Sequence, residues 1–387
     1  MKRWICLLLL AAIALGLAAC GAEKPEQTPP SDTQDTTPTV YNPMTAMEAM
    51  EEMKIGICWG NTFDAPDGEL SWGQPMTTRE MFLKVHALGF NTIRIPISWG
   101  KHTSGAPDYT IDEAWLKRVK MVVDYALEDG MYVIINSHHD NDIYMPRAEN
   151  QEQAVAYLSA IWTQVASYFE YADHHLIFQT MNEPRVTGTA YEWSVNTRNK
   201  DCMAAVEVVN VLNQTALDAI RATGGRNADR FVIVSPYAGN SGAAQLPVFR
   251  LPEDSAQNKL IVSVHAYTPY NLCLNTKSPD SQFLVSHEKE LITMMKNLHF
   301  KYVSNGIPVI IDEMGCINKD NPEDRYNWAK TYVSLAKSYG MVCCWWDNGS
   351  VSGSGENFGL FNRRKLVVYD QSQTVYQGLM EGLEVSE

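Results

Sequence analysis

"LIFQTMNEPRV", Leu176 to Val186, starts as a strand and stops abruptly. Leu176, Ile177, Phe178 and Thr180 favour extended backbone, and they lead into an amide, a carboxylate and a proline that has no N–H to give a sheet. The run before the stop is almost continuously apolar rather than alternating, the pattern of a strand covered on both faces in a parallel sheet. Seven other runs read the same way: "KIGICWG" from Lys54, "NTIRIPI" from Asn91, "MYVIINS" from Met131, "RFVIVSP" from Arg230, "KLIVSVHAY" from Lys259, "IPVIIDE" from Ile307 and "MVCCWWD" from Met341. Amphipathic segments such as "TTREMFLKVHALGF", "DEAWLKRVKMVVDYALEDG" and "NWAKTYVSLAKSYG" lie between them, the last two ending at a Gly just before the next strand, as a helix C-terminus does. Eight strand–helix units fill the folded region and predict a single (β/α)8 barrel of the α/β class. No Gly-rich phosphate fingerprint follows the first strand, and neither a second domain nor an internal repeat is visible.

The N-terminus reads as an address. Lys2 and Arg3 precede the apolar "WICLLLLAAIALGL", which is short for a membrane span, and "LAAC" ends it at Cys20. Small residues just before a Cys resemble the bacterial lipoprotein signal, so residues 1–19 are expected to be a signal peptide and Cys20 the lipidated residue. "GAEKPEQTPPSDTQDTTPT" carries no large apolar side chain and reads as a disordered spacer, giving a linker over 20–42 and a catalytic domain over 43–387. The expected location is therefore the membrane of a bacterium, facing the periplasm or the exterior. The remaining cysteines, Cys58, Cys202, Cys273, Cys316, Cys343 and Cys344, have no zinc-type spacing and read mostly as small buried hydrophobes. A formal charge of −14 over 387 residues argues against nucleic acid and anionic lipid surfaces, leaving an uncharged polymer open.

In such a barrel the reacting groups stand at the C-terminal strand ends. In order, those ends offer Trp59, Gly60 and Asn61; Arg94 with Trp99 beyond it; His138, His139 and Asp140; Asn182 and Glu183; His265 and Tyr267; Asp312 and Glu313; and Trp346, Asp347 and Asn348, while the fifth strand offers only "SPY". Singly these are ordinary: strand-end carboxylates cap helices, histidines sit satisfied in cores, and tryptophans pack. Together, two Glu ringed by Arg, His, Tyr and Trp match glycoside hydrolysis, where one carboxyl protonates the leaving oxygen and a second carboxylate attacks the anomeric carbon or activates water. Arg94, costly to bury unpaired, is expected to keep Glu313 ionised, and Tyr267 to donate to it. Asn182 is placed for the sugar 2-hydroxyl and Trp346 for stacking under the ring.

The blocks "GNTFDA", "RIPISW", "HHD", "MNEPR", "VHAYTPYN", "IDEMG" and "WWDNG" resemble, in order and spacing, those of glycoside hydrolase family 5, most closely its subfamily 4 of endoglucanases and xyloglucanases. The resemblance runs from about Met44 to the C-terminal region. It implies a retaining enzyme without cofactor or metal, with Glu183 as acid/base and Glu313 as nucleophile. It further implies that Arg94, His138, Asn182, His265, Tyr267 and Trp346, and more loosely Asn61 and His139, touch substrate. The first strand departs slightly: "ICWGNTF" stands where many members carry an Asn between the Trp-like position and the Gly, which leaves the glycone side open.

The expected activity is endo-β-1,4-glucanase on cellulose-type, mixed-linkage or xyloglucan chains, by a monomer. A β-mannanase shares the scaffold, with the groove near Asn182, Trp99 and Tyr144 expected to decide. An inactive glycan-binding lipoprotein and a Mg²⁺-dependent barrel enzyme are the readings from other classes. Retention of both carboxylates counts against the first, and the scarcity of oxygen ligands against the second. "MPRAENQEQ" and "RVTGTAYEWSVNTRNKD" are expected to wall the groove, Trp193 being a candidate stacking residue on the aglycone side.

Overall fold

The computed structural model describes residues 40–353 and 355–384. The expected signal peptide, the lipidated Cys20 and most of the linker lie outside the described residues. The backbone N–H groups of Tyr41 and Asn42 donate to the Asp229 carboxylate at 2.7 and 2.8 Å, docking this segment on the barrel.

Helix α1 (Ala46–Glu52) opens the domain, held by a capping box between Thr45 and Glu48. Eight units follow: β1 (Gly56–Trp59) and α2 (Arg79–Ala87); β2 (Thr92–Ile95) and α3 (Glu113–Leu127); β3 (Tyr132–Asn136) and α4 (Gln151–Tyr168); β4 (Leu176–Gln179) and α5 (Lys200–Ala222); β5 (Val232–Val234) and α6 (Ser241–Gln245); β6 (Leu260–His265) with α7 (Tyr270–Cys273) and α8 (Val285–Lys301); β7 (Val309–Met314) and α9 (Pro322–Ser338); then β8 (Val342–Asp347). A short hairpin, β9 (Phe361–Asn362) with β10 (Val367–Val368), precedes the last helix, α10 (Gln373–Glu384). β1 to β8 close into a barrel in sequence order, and every pairing is parallel, β8 returning to β1.

All eight apolar runs are strands, most of them shorter than the quoted run, while β7 reaches one residue past it to Met314, and nearly every strand residue is buried. The three quoted amphipathic segments are α2, α3 and α9, and Gly130 and Gly340 end α3 and α9 with φ of 76° and 69°. Only Met145–Asn150 of "MPRAENQEQ" lies in the loop, because its last three residues begin α4.

The inward side chains of the strands are partly polar. Gln179 accepts from Arg94 Nε at 2.9 Å and from Asn136 Nδ2 at 3.2 Å, and donates to Asp312 at 2.6 Å. Ser263 Oγ also donates to Asp312, at 2.6 Å. This satisfied network fills the barrel beneath the catalytic rim, where orphaned polar groups would each cost about 1–3 kcal/mol. Outside the barrel, Trp162, Trp328 and Trp345 are buried with their indole N–H groups on backbone carbonyls of Thr180, Thr268 and Phe358. The six cysteines of the described residues are free and buried, as their small apolar character predicts.

Candidate active site

Glu183 lies four residues beyond the end of β4, on a segment that two neighbours fix. Asn182 N–H donates to the Ser137 carbonyl after β3 at 2.9 Å, and Ala238 N–H, after β5, donates to the Pro184 carbonyl at 2.9 Å. Glu313 lies inside β7, paired with His265 of β6 at a shift in register. These two carboxylates and His265 converge so that one ligand atom of each lies within 4.8 Å of the others.

Both oxygens of Glu313 are held. Arg94 Nη1 donates to Oε1 at 2.8 Å and the Tyr267 hydroxyl to Oε2 at 2.9 Å. Arg94, fully buried, also donates through Nη2 to Asn182 Oδ1 at 2.8 Å and stands 3.3 Å from Asp312. Arg94 thus has two anionic partners and two amides, which answers the cost of burying it. The expected pairs Arg94–Glu313 and Tyr267–Glu313 are both present. Glu183 meets His265 Nδ1 at 2.7 Å and Arg185 Nη1 at 3.4 Å.

The electrostatics of the unliganded cup follow from these contacts. Burial works against a charged His265, but Glu313 and Asp312 outweigh it and lift its pKa to about 10. Burial also pushes Glu183 up, and the His265 hydrogen bond with the charges of His265 and Arg185 overrides it, so Glu183 sits below the ordinary range. Glu313 sits above its ordinary value: burial, with Glu183 and Asp312 beside it, prevails over His265 and Arg94. This resting order is the inverse of the order hydrolysis needs, and the two carboxyls titrate as a pair with His265 rather than singly.

His138 and Trp346 form the adjoining wall, their rings parallel to within 3° at 5.8 Å. Burial, then the charges of His139, Arg94 and His265, hold His138 well below the ordinary histidine range, so it is neutral. Asn136 Nδ2 donates to His138 Nδ1 at 3.1 Å, since the Asn136 side-chain oxygen already accepts from Ile97 N–H; the His138 proton is therefore on Nε2. His139 is exposed at the rim, 4.5 Å ring to ring from His138. Asn61, half-exposed with φ of 58°, joins none of the hydrogen bonds of the carboxylate cluster.

Other strand-end residues serve the scaffold. Asp140 accepts from the N–H groups of Trp99 and Gly100 at 3.0 and 2.8 Å, and Asp347 from those of Gly349, Leu360 and Phe361 at 2.8, 3.2 and 3.1 Å. Trp99 and Tyr144, expected at the groove, are fully buried; the indole donates to the Asn136 carbonyl and the phenol to that of His138, so neither faces a ligand. Trp193 is 54% exposed, with the Arg185 guanidinium 4.0 Å above its ring.

The fifth strand, silent in sequence, supplies Gly239 (φ 61°): a Cβ there would sit 3.0 Å from the His265 ring and 3.3 Å from Glu183. Gln179 was also hidden, as one polar residue inside an apolar run. Glu183, His265 and Glu313 could in principle ligate a metal, but Arg94 and a protonated His265 already supply the positive charge there, which disfavours a divalent cation.

Comparison with known proteins agrees with this geometry. The family described as Cellulase (glycosyl hydrolase family 5) matches residues 58–352. Endoglucanase A of Ruminococcus albus is 42% identical over 341 residues, 86% of this chain and 91% of that protein. Among solved structures, a glycoside hydrolase 5 lichenase from a Caldicellulosiruptor species, in complex with cellotetraose, superposes with a TM-score of 0.85 at 39% identity, covering 89% of this chain and 97% of the other. A GH5-4 broad-specificity endoglucanase of Ruminococcus champanellensis with bound cellotriose gives 0.83 at 41% identity, covering 88% and 100%. A matching family description over most of the barrel, relatives of this identity and a site of this make-up have one reading: the chain belongs to glycoside hydrolase family 5.

Proposed function

We propose that the protein is a retaining endo-β-1,4-glucanase that cuts internal linkages of β-glucan chains, with Glu313 as nucleophile and Glu183 as general acid/base. The observation that carries the mechanism is the separation of the two carboxylates. Oxygens within 4.8 Å of one another suit direct attack by one carboxylate, whereas an inverting pair leaves about 6.5–9.5 Å for a water. In the first step Glu313 attacks the anomeric carbon while Glu183 gives its proton to the departing glycosidic oxygen, leaving a glycosyl ester on Glu313. In the second, Glu183 takes a proton from water, the oxygen of that water attacks the anomeric carbon, and the ester bond breaks to restore Glu313. Asn182, oriented by Arg94, addresses the 2-hydroxyl, His138 offers its Nε2 proton to the same sugar, and Trp346 underlies it.

The test is a panel of carboxymethyl-cellulose, barley β-glucan, tamarind xyloglucan, mannan and xylan, with Glu183→Ala and Glu313→Ala beside the parent. Each variant is expected to lose about a thousandfold or more in turnover on the β-glucan that is cut. Proton NMR is expected to show the β-anomer as the first product. An inverted first product, undiminished turnover in either variant, or cleavage of mannan alone overturns the assignment. Cys20 is proposed as the site of a diacylglycerol anchor holding the enzyme on the outer side of a bacterial membrane, as the "LAAC" signal indicates. Radiolabelled palmitate is then incorporated in the expressing cell and lost in Cys20→Ala; equal labelling of both refutes it.

A further inference from the structure

Away from the catalytic end, the turn that enters β4 brings three metal-ligating side chains together. Asp173, His174 and His175 close the segment between α4 and β4, at the foot of the barrel, and one ligand atom of each lies within 4.8 Å of the others. The backbone of this turn is fixed. Buried Arg230 donates through Nη1 to the carbonyls of Asp173 and Leu176, both at 2.8 Å, and through Nη2 to those of Phe169 and Ala172 at 3.2 and 2.7 Å. His175 N–H donates to Asp173 Oδ1 at 2.9 Å, and Val133 N–H of β3 donates to the His175 carbonyl at 2.8 Å.

The side chains are positioned but not all spent. The His175 ring rests 4.6 Å from that of Tyr132, whose hydroxyl donates to Glu52 at 2.7 Å, and its Nδ1 meets Asp173 Oδ1 at 3.2 Å. The hydrogen bond from His175 holds the Asp173 pKa at about 2, which keeps that carboxyl anionic at neutral pH. An ordinary turn contact between a histidine and a carboxylate accounts for this pair, but not for His174. The His174 ring stands 4.4 Å from that of His175 and makes no hydrogen bond among the described residues. Burial and the charge of His175 lower its pKa, so it is neutral and keeps a nitrogen lone pair to offer. Asp173, His174 and Asp229 also line a cavity of about 10 Å³, the size of one water, and Asp229 Oδ1 is buried without a hydrogen-bond partner among the described residues.

Two imidazoles and a carboxylate suit a borderline transition metal such as zinc, whereas magnesium and calcium want oxygen ligands throughout. Tetrahedral ligands at about 2.0–2.1 Å from zinc stand about 3.4 Å apart, a closure of about 1 Å that side chains open to solvent can make. Glu52 adds negative charge beside both histidines, while Arg226 and Arg230 on the cavity wall oppose a cation, which sets the affinity in the micromolar range rather than tighter.

We propose that Asp173, His174 and His175 form a binding site for one zinc-like divalent cation at the foot of the barrel, with a water in the adjoining cavity joining the ion to Asp229. The ion clips the entry of β4 to the segment before β5, on which Tyr41 and Asn42 are docked through Asp229. It stabilises the fold and takes no part in the chemistry at the other end of the strands.

Calorimetric titration of the chelator-treated protein with zinc chloride is expected to show one site of micromolar affinity, and magnesium chloride none. His174→Ala and Asp173→Asn are each expected to weaken zinc binding about tenfold or more, with an unchanged circular dichroism spectrum showing that both variants are folded. Saturating zinc is expected to raise the Tm of the parent by about 2–5 °C and to leave that of His174→Ala unmoved. A parent that shows neither heat nor a Tm shift, or equal affinity in the parent and both variants, overturns the site. Zinc that blocks β-glucan hydrolysis over the same concentrations at which it binds would be sitting on Glu183, His265 and Glu313, and that result overturns it as well.

Discussion

Nδ1 of His265 stands 2.7 Å from Glu183 and 3.5 Å from Glu313, and its Nε2 is 3.6 Å from Asp312. Three carboxyls thus face three cations, Arg94, Arg185 and a protonated His265, so with all three carboxyls ionised the cluster carries no net charge. Moving one proton along the short hydrogen bond from Nδ1 to Glu183 leaves that total unchanged and produces the protonated acid that the first step requires. His265 is in this sense the store of the catalytic proton, held to about pH 10 against 6.5 for a free imidazole. Because its folded pKa is the higher, the stabilisation from its charge is complete below about pH 6.5 and is lost as pH rises toward 10. His265→Asn is expected to move the alkaline limb of the kcat/KM profile to lower pH by about one unit or more, as Glu183 must then keep its proton unaided. An unmoved alkaline limb contradicts that role. At this scale the sequence was legible where a residue is expensive: a buried Arg94 demands an anion, and Glu313 and Asp312 are there. It misled at Trp99 and Tyr144, because nothing in a sequence tells an indole whose face lines a groove from one whose N–H is spent on a carbonyl.

β4 and β5 show the same contrast among elements. The apolar run "LIFQ" declared itself as a strand, but Gln179 within it reads as an interruption until the barrel closes and brings Arg94, Asn136 and Asp312 around its amide. β5 declared no function at all, since the contribution of its loop is the lack of a side chain. Gly239 packs against His265 and Glu183 at distances a Cβ cannot occupy without moving them, and its φ of 61° adds strain for any other residue. Gly239→Ala is expected to cost about 1–3 kcal/mol of stability and to lower kcat by about tenfold or more, with KM less affected, since it displaces the proton store rather than the sugar subsites. Denaturant titration beside steady-state kinetics checks this. A variant with parental kcat removes the loop of β5 from the machinery.

Across the whole molecule, the order of strands was fully legible because each parallel strand is buried on both faces and announces itself by composition alone, and the closing pair β8–β1 then follows from the count. The six buried thiols have a consequence for how this barrel breathes. Burial raises the pKa of Cys58, Cys273 and Cys344 well above that of a free thiol and that of Cys343 to about 12, so within the fold they are neither ionised nor reachable. A maleimide can modify them only while the surrounding structure is open, and they sit at different depths. Cys202 belongs to the first turn of α5, where helix ends fray, whereas Cys58 and Cys344 lie on the adjoining strands β1 and β8. Timed labelling read by mass spectrometry is expected to mark Cys202 first and the barrel pair last. If the barrel pair reacted first, the β8–β1 seam would be the weakest part of the closed sheet. The native cysteines thus form a set of depth gauges, recording without any added probe which layer of the enzyme opens, and how often, before the whole comes apart.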